Sequence, residues 1–207
     1  MVKALRRILV YASMLVGLAA TSSAHAAQIV PPDLLAKNVT NNVLAILKTD
    51  KRAKAGDLRD VERVIESKIL PYFDFETMTR YALGSNWRQA THAQRQALIR
   101  QFRRLLVRVY AASLAQYRDQ TVKYEPVRLA RGDSNVVVRS QIMRSGQEPV
   151  SVDYSMEKTA DGWKVYDLKI DGMSLVENYR NEFNSRIQIG GINGLIRALA
   201  DKNKALA

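Results

Sequence analysis

The sequence contains no cysteine. That single absence removes disulfides, thiolate metal ligands and any cysteine nucleophile, so stability must come from the apolar core alone. Histidine is almost as scarce. There are two, His25 and His92, and only His92 lies beyond the leader described below. One imidazole and no thiol allow no Cys–His dyad, no H-E-x-x-H motif and no histidine cluster for a metal. His92 reads as a surface residue in the first turn of a helix. A G-x-S-x-G nucleophile elbow, a G-x-G-x-x-G loop and a P-loop are also missing. Carboxylates remain, with Asp74 near Glu76 and Asp167 near Asp171. Asp74 reads more simply as a helix cap, and Asp171 as a turn residue before Gly172. Asp167 and Glu76 take no obvious place, and Arg131-Gly132-Asp133 reads as an ordinary turn between strands.

Long apolar runs are missing too, with one partial exception at the start. Lys3, Arg6 and Arg7 precede the uncharged stretch Ile8 to Ala20, and Ala24-His25-Ala26 follows. That is the pattern of a secretory signal peptide cut after Ala26. The stretch is about 13 residues, against the roughly 20 that a spanning helix needs. No cysteine follows the cut, so a lipoprotein anchor is excluded. The expected organisation is a leader over residues 1–26 and a single domain over residues 27–207, in the periplasm, with no transmembrane segment in the mature chain.

The charge is one-sided. Removing Lys3, Arg6 and Arg7 from 32 basic residues leaves 29 against 20 acidic ones, a net charge of +9. For an exported chain, the anionic partners this suggests are lipid headgroups, membrane surfaces or acidic protein patches; a plain solvated basic surface reads equally well. Arg100, Arg104 and Arg108 recur along one helix face, but no basic strand interleaved with aromatics accompanies them. Nucleic acid is not an expected partner.

Helical periodicity fills the first half. Pro31-Pro32-Asp33 starts one helix, Asp57 caps a second that Pro71 ends or bends, and Asp74 caps a third that Gly84 closes. Thr91 and Gln94 form a capping box for a long helix to about Tyr117. Its apolar stripes are Leu98, Phe102, Leu105, Val109 and Ala112, then Leu106, Tyr110 and Tyr117, an unusually wide apolar side. The period then changes to two. Residues 122–129, 135–144, 148–158 and 163–170 read as four strands joined by glycine turns. In the third, Val150, Val152, Tyr154 and Met156 point one way, while Ser151, Asp153, Ser155 and Glu157 point the other. Ser174 and Glu177 suggest a second capping box before a helix carrying Tyr179 and Phe183, which Gly190-Gly191 ends. A last short helix follows. The fold class is α+β, a four-stranded antiparallel sheet with helices on one face. The apolar excess fits a filled core and a ligand cavity equally well, because both have the same periodicity.

Leu70-Pro71-Tyr72-Phe73-Asp74-Phe75-Glu76-Thr77-Met78, Ala82-Leu83-Gly84 and Trp87-Arg88 resemble the MlaC family. So do Gln101-Phe102, Leu105-Leu106 and Tyr110, the run Trp163 to Leu175, Tyr179 to Phe183, and Gly190 to Leu195. The resemblance implies a phospholipid carrier whose acyl chains lie in a hydrophobic cavity between a curved sheet and helices. It implies traffic between an outer-membrane complex of MlaA type and an inner-membrane ABC transporter with an MlaD-type subunit. It also implies a role in outer-membrane lipid asymmetry and toluene tolerance. No catalytic residue, metal or cofactor is expected. The rival readings are a carrier of another hydrophobic molecule, a carboxylate enzyme, and an interaction protein with a filled core. Periodicity and resemblance together nominate the lipid-binding residues: Met78, Tyr81, Phe102, Leu105, Leu106, Val109, Tyr110, Val150, Val152, Tyr154, Met156, Tyr179 and Phe183.

Produced with its leader, the exported protein should begin at Ala27 by intact mass. A mass that retains residues 1–26 would mean the leader stays as an anchor.

Overall fold

Apart from the short α5, each helix start is fixed by a short polar side chain or a proline. The computed structural model describes residues 29–116 and 120–206, so the leader and Tyr117 lie outside the described residues. Pro32 occupies the first turn of helix α1 (Pro32–Thr49), where its missing N–H costs nothing. Asp50 caps the single turn α2 (Lys51–Lys54), and Asp57 caps α3 (Leu58–Lys68). A 3₁₀ turn, Leu70–Tyr72, carries Pro71. Asp74 caps α4 (Phe75–Leu83) by accepting the Thr77 N–H at 2.9 Å. After the short α5 (Asn86–Gln89), the Thr91/Gln94 capping box closes in both directions at the start of α6 (His92–Ala115), at 3.2 and 2.9 Å. Ser174 caps α7 (Leu175–Ala205) through the Glu177 N–H at 3.1 Å. Gly191, at φ 64°, breaks α7 into two helical halves, as Gly190-Gly191 predicts.

The sheet has five strands, not four, in the order β1-β2-β3-β4-β5, and every neighbouring pair is antiparallel. They are β1 (Thr121–Tyr124), β2 (Asn135–Met143), β3 (Val150–Thr159), β4 (Gly162–Ile170) and β5 (Met173–Ser174). The extra strand arises at Asp171 and Gly172. Both take left-handed backbone angles, φ 46° and 82°, so the chain turns back and pairs with β4 before α7 begins. β1 stops well short of Leu129, and Pro126, which has no N–H to donate, follows its end.

The alternation along β3 is less clean than its sequence suggests. Val152 and Met156 are buried, but Val150 and Tyr154 are only half-buried, as are Ser151, Asp153, Ser155 and Glu157. A register shift explains part of this. Ser155 faces Asp167, yet Met156 faces Val165, so Tyr166 is an extra residue in β4. Such a bulge moves the inward set of β4 from Trp163 and Val165 to Leu168 and Ile170.

Three apolar clusters form the core. Helices α4, α6 and α7 share one, built on Met78, Leu98, Phe102, Leu105, Phe183 and Leu195. Helices α1, α2, α3 and α6 share a second through Val43, Val61, Ile65, Val107 and Ala111. The sheet and the start of α1 share the third, through Ala36, Val138, Met156, Trp163 and Val165. Helix α6 therefore buries two flanks. Val107, Ala111 and Ala115 occupy the second, and Ala112, placed in the apolar stripe by its spacing, is exposed. That two-sided burial is the origin of its wide apolar side.

Asp60 is the buried charge of this framework. Arg52 reaches one of its oxygens at 2.6 Å and Arg63 the other, and the two oxygens take no further hydrogen bond. The two guanidiniums are largely exposed, whereas the carboxylate is not. Removing both arginines (R52A/R63A) should therefore cost about 3 kcal/mol in urea melts, because a buried charge loses its partners. D60N should cost clearly less, since the arginines return to water. Equal losses would contradict this.

Candidate functional site

The nominated residues do not gather in one place. Met78, Phe102, Leu105, Leu106, Tyr179 and Phe183 are buried in the helical cluster, and Val109 and Tyr110 pack against it. Three of its rings touch. Phe102 meets Tyr179 at 4.9 Å and Phe183 at 5.1 Å, both edge-on, and Tyr179 lies 5.7 Å from Phe183. Burial pushes the Tyr179 phenol up to about 12 and raises that of Tyr110, so both stay neutral. Met156 and Tyr154 belong instead to the sheet cluster. Val152 is buried on the same inner face, facing Ser140 and Ile170, and Val150 is half-buried beside it. Tyr81 is 40% exposed and rests edge-on against Tyr166 at 5.6 Å.

Two residues join the groups. Phe73 and Leu168 each pack against the helical cluster and against the sheet cluster. They mark a seam between helices and sheet. Periodicity misses Leu168 because the bulge at Tyr166 breaks the period of two just before it. Phe73 falls in an irregular stretch, where no period applies. It pairs with Val165 as a single parallel bridge, and the Asp74 N–H donates to the Val165 carbonyl at 2.9 Å.

The seam reaches solvent at an open groove of about 330 Å³. Leu70, Phe73, Phe75 and Ile99 supply its apolar wall, and Arg103, Asp161 and Lys164 its polar one. This volume is far below the ~1,000 Å³ expected for a two-chain ligand. The rings of Phe102, Tyr179 and Phe183 fill the helical side, and Phe73 with Leu168 closes the seam.

The carboxylates take structural places. Asp167 accepts the Ser174 hydroxyl at 2.6 Å and the Val176 N–H at 3.1 Å, so it holds the start of α7. Asp171 accepts the Ser151 N–H at 2.9 Å within its turn. Glu76 is exposed in the first turn of α4, and His92 is exposed in the first turn of α6.

Comparison with known proteins matches residues 37–201 to the family described as MlaC protein. The chain is 24% identical over 169 residues to the "Intermembrane phospholipid transport system binding protein MlaC" of Haemophilus influenzae, covering 80% of this chain and 78% of that one. It is 23% identical over 192 residues to the "Toluene tolerance protein ttg2D" of Pseudomonas putida, covering 92% and 86%. Among solved structures, the phospholipid-binding protein from Ralstonia solanacearum, in complex with a phospholipid, superposes with a TM-score of 0.80 at 42% identity. That match covers 86% of this chain and 99% of the other.

One pair of acids beside the groove makes stability depend on pH. Burial raises the Glu157 carboxyl above its usual range, and the facing Asp74 adds to the effect. Burial opposes ionisation of Asp74 as well, but the Thr77 amide and hydroxyl outweigh it and hold Asp74 below its usual range. The signs are opposite. The raised Glu157 contributes stability at low pH that is lost as pH climbs through its folded value, above 4.5. The depressed Asp74 contributes stability at higher pH that is lost as pH falls through its folded value, below 3.8. Replacing Glu157 with glutamine should remove the loss on the neutral side while leaving the acid loss in place. Melting temperatures from pH 3 to pH 8 test this, and identical profiles for E157Q and the parent would contradict it.

Proposed function

Because the chain belongs to the MlaC family, we propose that it is a phospholipid-binding protein of intermembrane lipid transport, acting in the periplasm. The observation that carries the reading is the seam, where Phe73 and Leu168 each pack against both the helical and the sheet cluster. The lipid-bound relative of the same fold supports it.

The energetics explain why a carrier is needed. Two acyl chains hold roughly 30 methylenes, and at about 0.8 kcal/mol each their exposure to water costs on the order of 24 kcal/mol. A carrier that exchanges bilayer for protein interior makes transfer close to neutral, and it needs no catalytic group. Acyl chains inserted at the seam replace sheet–helix contacts with lipid contacts of the same apolar kind. On the helical side the chains meet Met78, Phe102, Leu105, Leu106, Val109, Tyr110, Tyr179 and Phe183, with Tyr81 at the margin. On the sheet side they meet Val150, Val152, Tyr154 and Met156.

The remaining parts of the reading concern export and docking. The leader over residues 1–26 delivers one domain, residues 27–207, to the space between two membranes. No helix among the described residues is long and apolar enough to cross a membrane. Arg100, Arg103 and Arg104 form an exposed basic face on α6 with no ion pair among the described residues. Such a face suits docking to acidic patches on an outer-membrane complex of MlaA type and an inner-membrane transporter with an MlaD-type subunit.

Native mass spectrometry of the purified protein should find phospholipid bound to the chain. V152W and L168W overfill the seam. Their overpacking penalty of about 1–3 kcal/mol should lower lipid retention about tenfold or more. Unchanged lipid content with an unchanged melt would defeat the reading.

A further inference from the structure

From the bend in helix α7, we infer a membrane-docking corner, where exposed arginines meet an anionic lipid surface around a protruding Ile189. The inference goes beyond the carrier reading, because this corner docks whether or not the seam holds a lipid.

The bend follows from the backbone. Gly191 takes φ 64°, a conformation that L side chains rarely adopt, and the two halves of α7 turn there. The neighbouring α5 and the start of α6 grip both sides of the turn. Asn86 donates to the side-chain oxygen of Asn184 before it, and Gln94 to that of Asn193 after it, each at 2.9 Å. Ile187 and Ile192 pack against the helical cluster. Ile189, between them, is 85% exposed, more than any other large apolar side chain among the described residues. Isolated apolar residues are common on protein surfaces, so the surroundings decide what this one does.

Those surroundings carry charge of one sign. Residues 85–100 and 183–200, which build the corner, contain five arginines and no Asp or Glu. Arg88, Arg186 and Arg197 are exposed and take no ion pair among the described residues. Arg95 is committed locally. It donates to the Trp87 carbonyl at 3.1 Å and lies over the Trp87 ring, 4.9 Å from its centroid. The nearest acids along α7 already have partners, Glu182 in Lys202 at 3.2 Å and Asp201 in Lys204 at 3.5 Å.

The arrangement suits a membrane better than a protein. A specific protein interface buries ~800 Å² on each partner around an apolar core. One isoleucine at the apex of a bend supplies no such core. A lipid surface asks for none. Each arginine near it gains from the negative surface potential, and a protruding apolar side chain enters the interfacial layer.

Vesicle flotation of the exported protein tests this, with vesicles of phosphatidylcholine alone or of phosphatidylcholine with phosphatidylglycerol. The parent should float with the anionic vesicles, less so as salt rises, and not with the neutral ones. R88Q/R186Q/R197Q should weaken binding roughly a hundredfold, at about fivefold for each arginine. I189S should weaken it about tenfold. R128Q/R131Q/R139Q removes as many exposed arginines from β2 and the connection before it, and should change nothing. All these side chains are exposed, so the variants should melt like the parent. Binding that survives R88Q/R186Q/R197Q, or that falls equally in R128Q/R131Q/R139Q, overturns the docking corner and leaves the carrier reading standing. Equal flotation with neutral and anionic vesicles overturns it too. A parent that ignores anionic vesicles also overturns it, and leaves these arginines to an acidic protein partner. Native mass spectrometry of the same samples reads bound phospholipid separately. A parent that docks but never carries phospholipid overturns the carrier reading and not this corner.

Discussion

The docking of two helix starts onto strand β4 is the constraint from which the rest of the arrangement follows. Asp74 donates its N–H to the Val165 carbonyl while its carboxylate caps α4. A few residues along the same strand, Asp167 takes the Ser174 hydroxyl and the Val176 N–H, and so fixes the start of α7. Both contacts flank the bulge at Tyr166. Charge-assisted bonds to backbone N–H groups are among the stronger hydrogen bonds a protein makes. The Asp167 carboxylate bonds hold the start of α7 against β4 in this way, and the neutral Asp74–Val165 backbone bond holds the start of α4.

That separation of tasks suits a protein whose interior must open. Most sheet-facing residues pack against α1 and Phe73, and most helix-facing residues pack against one another. Few side chains serve both groups. A seam closed by two residues, Phe73 and Leu168, opens at a lower cost than an interdigitated core of the same area. On its second flank α6 packs against α1 and α3 in a separate cluster. The Arg52–Asp60 ion pair braces α2 against α3 on that same side, and Arg63 pairs with Asp60 from within α3.

Much of the secondary structure was legible from single residues. Asp57, Asp74, Thr91 and Ser174 each cap the helix that follows, because a side-chain oxygen two or three residues before a free N–H is a local geometry. The break at Gly191 and the turns at Gly132, Gly146, Gly162 and Gly172 were legible for the same reason, since each needs a positive φ. Less of the candidate site was legible. Leu106 and Met156 both read as inward, correctly, but inward toward different clusters. Periodicity reports which side of an element is apolar and carries nothing about which partner that side meets.

The sequence by itself determined what chemistry is available and where the chain turns, because residue identity and backbone freedom are local properties. It set the missing thiols, the scarcity of histidine, the basic excess and the caps. The tertiary structure alone decided the bulge at Tyr166, the short strand β5, the place of Asp167, and the exposure of Ala112 against the burial of Val107. It alone brought Phe73, Arg103 and Lys164, distant along the chain, to one groove. Those outcomes depend on which surfaces compete for the same space, and that competition is settled only when the whole chain has packed.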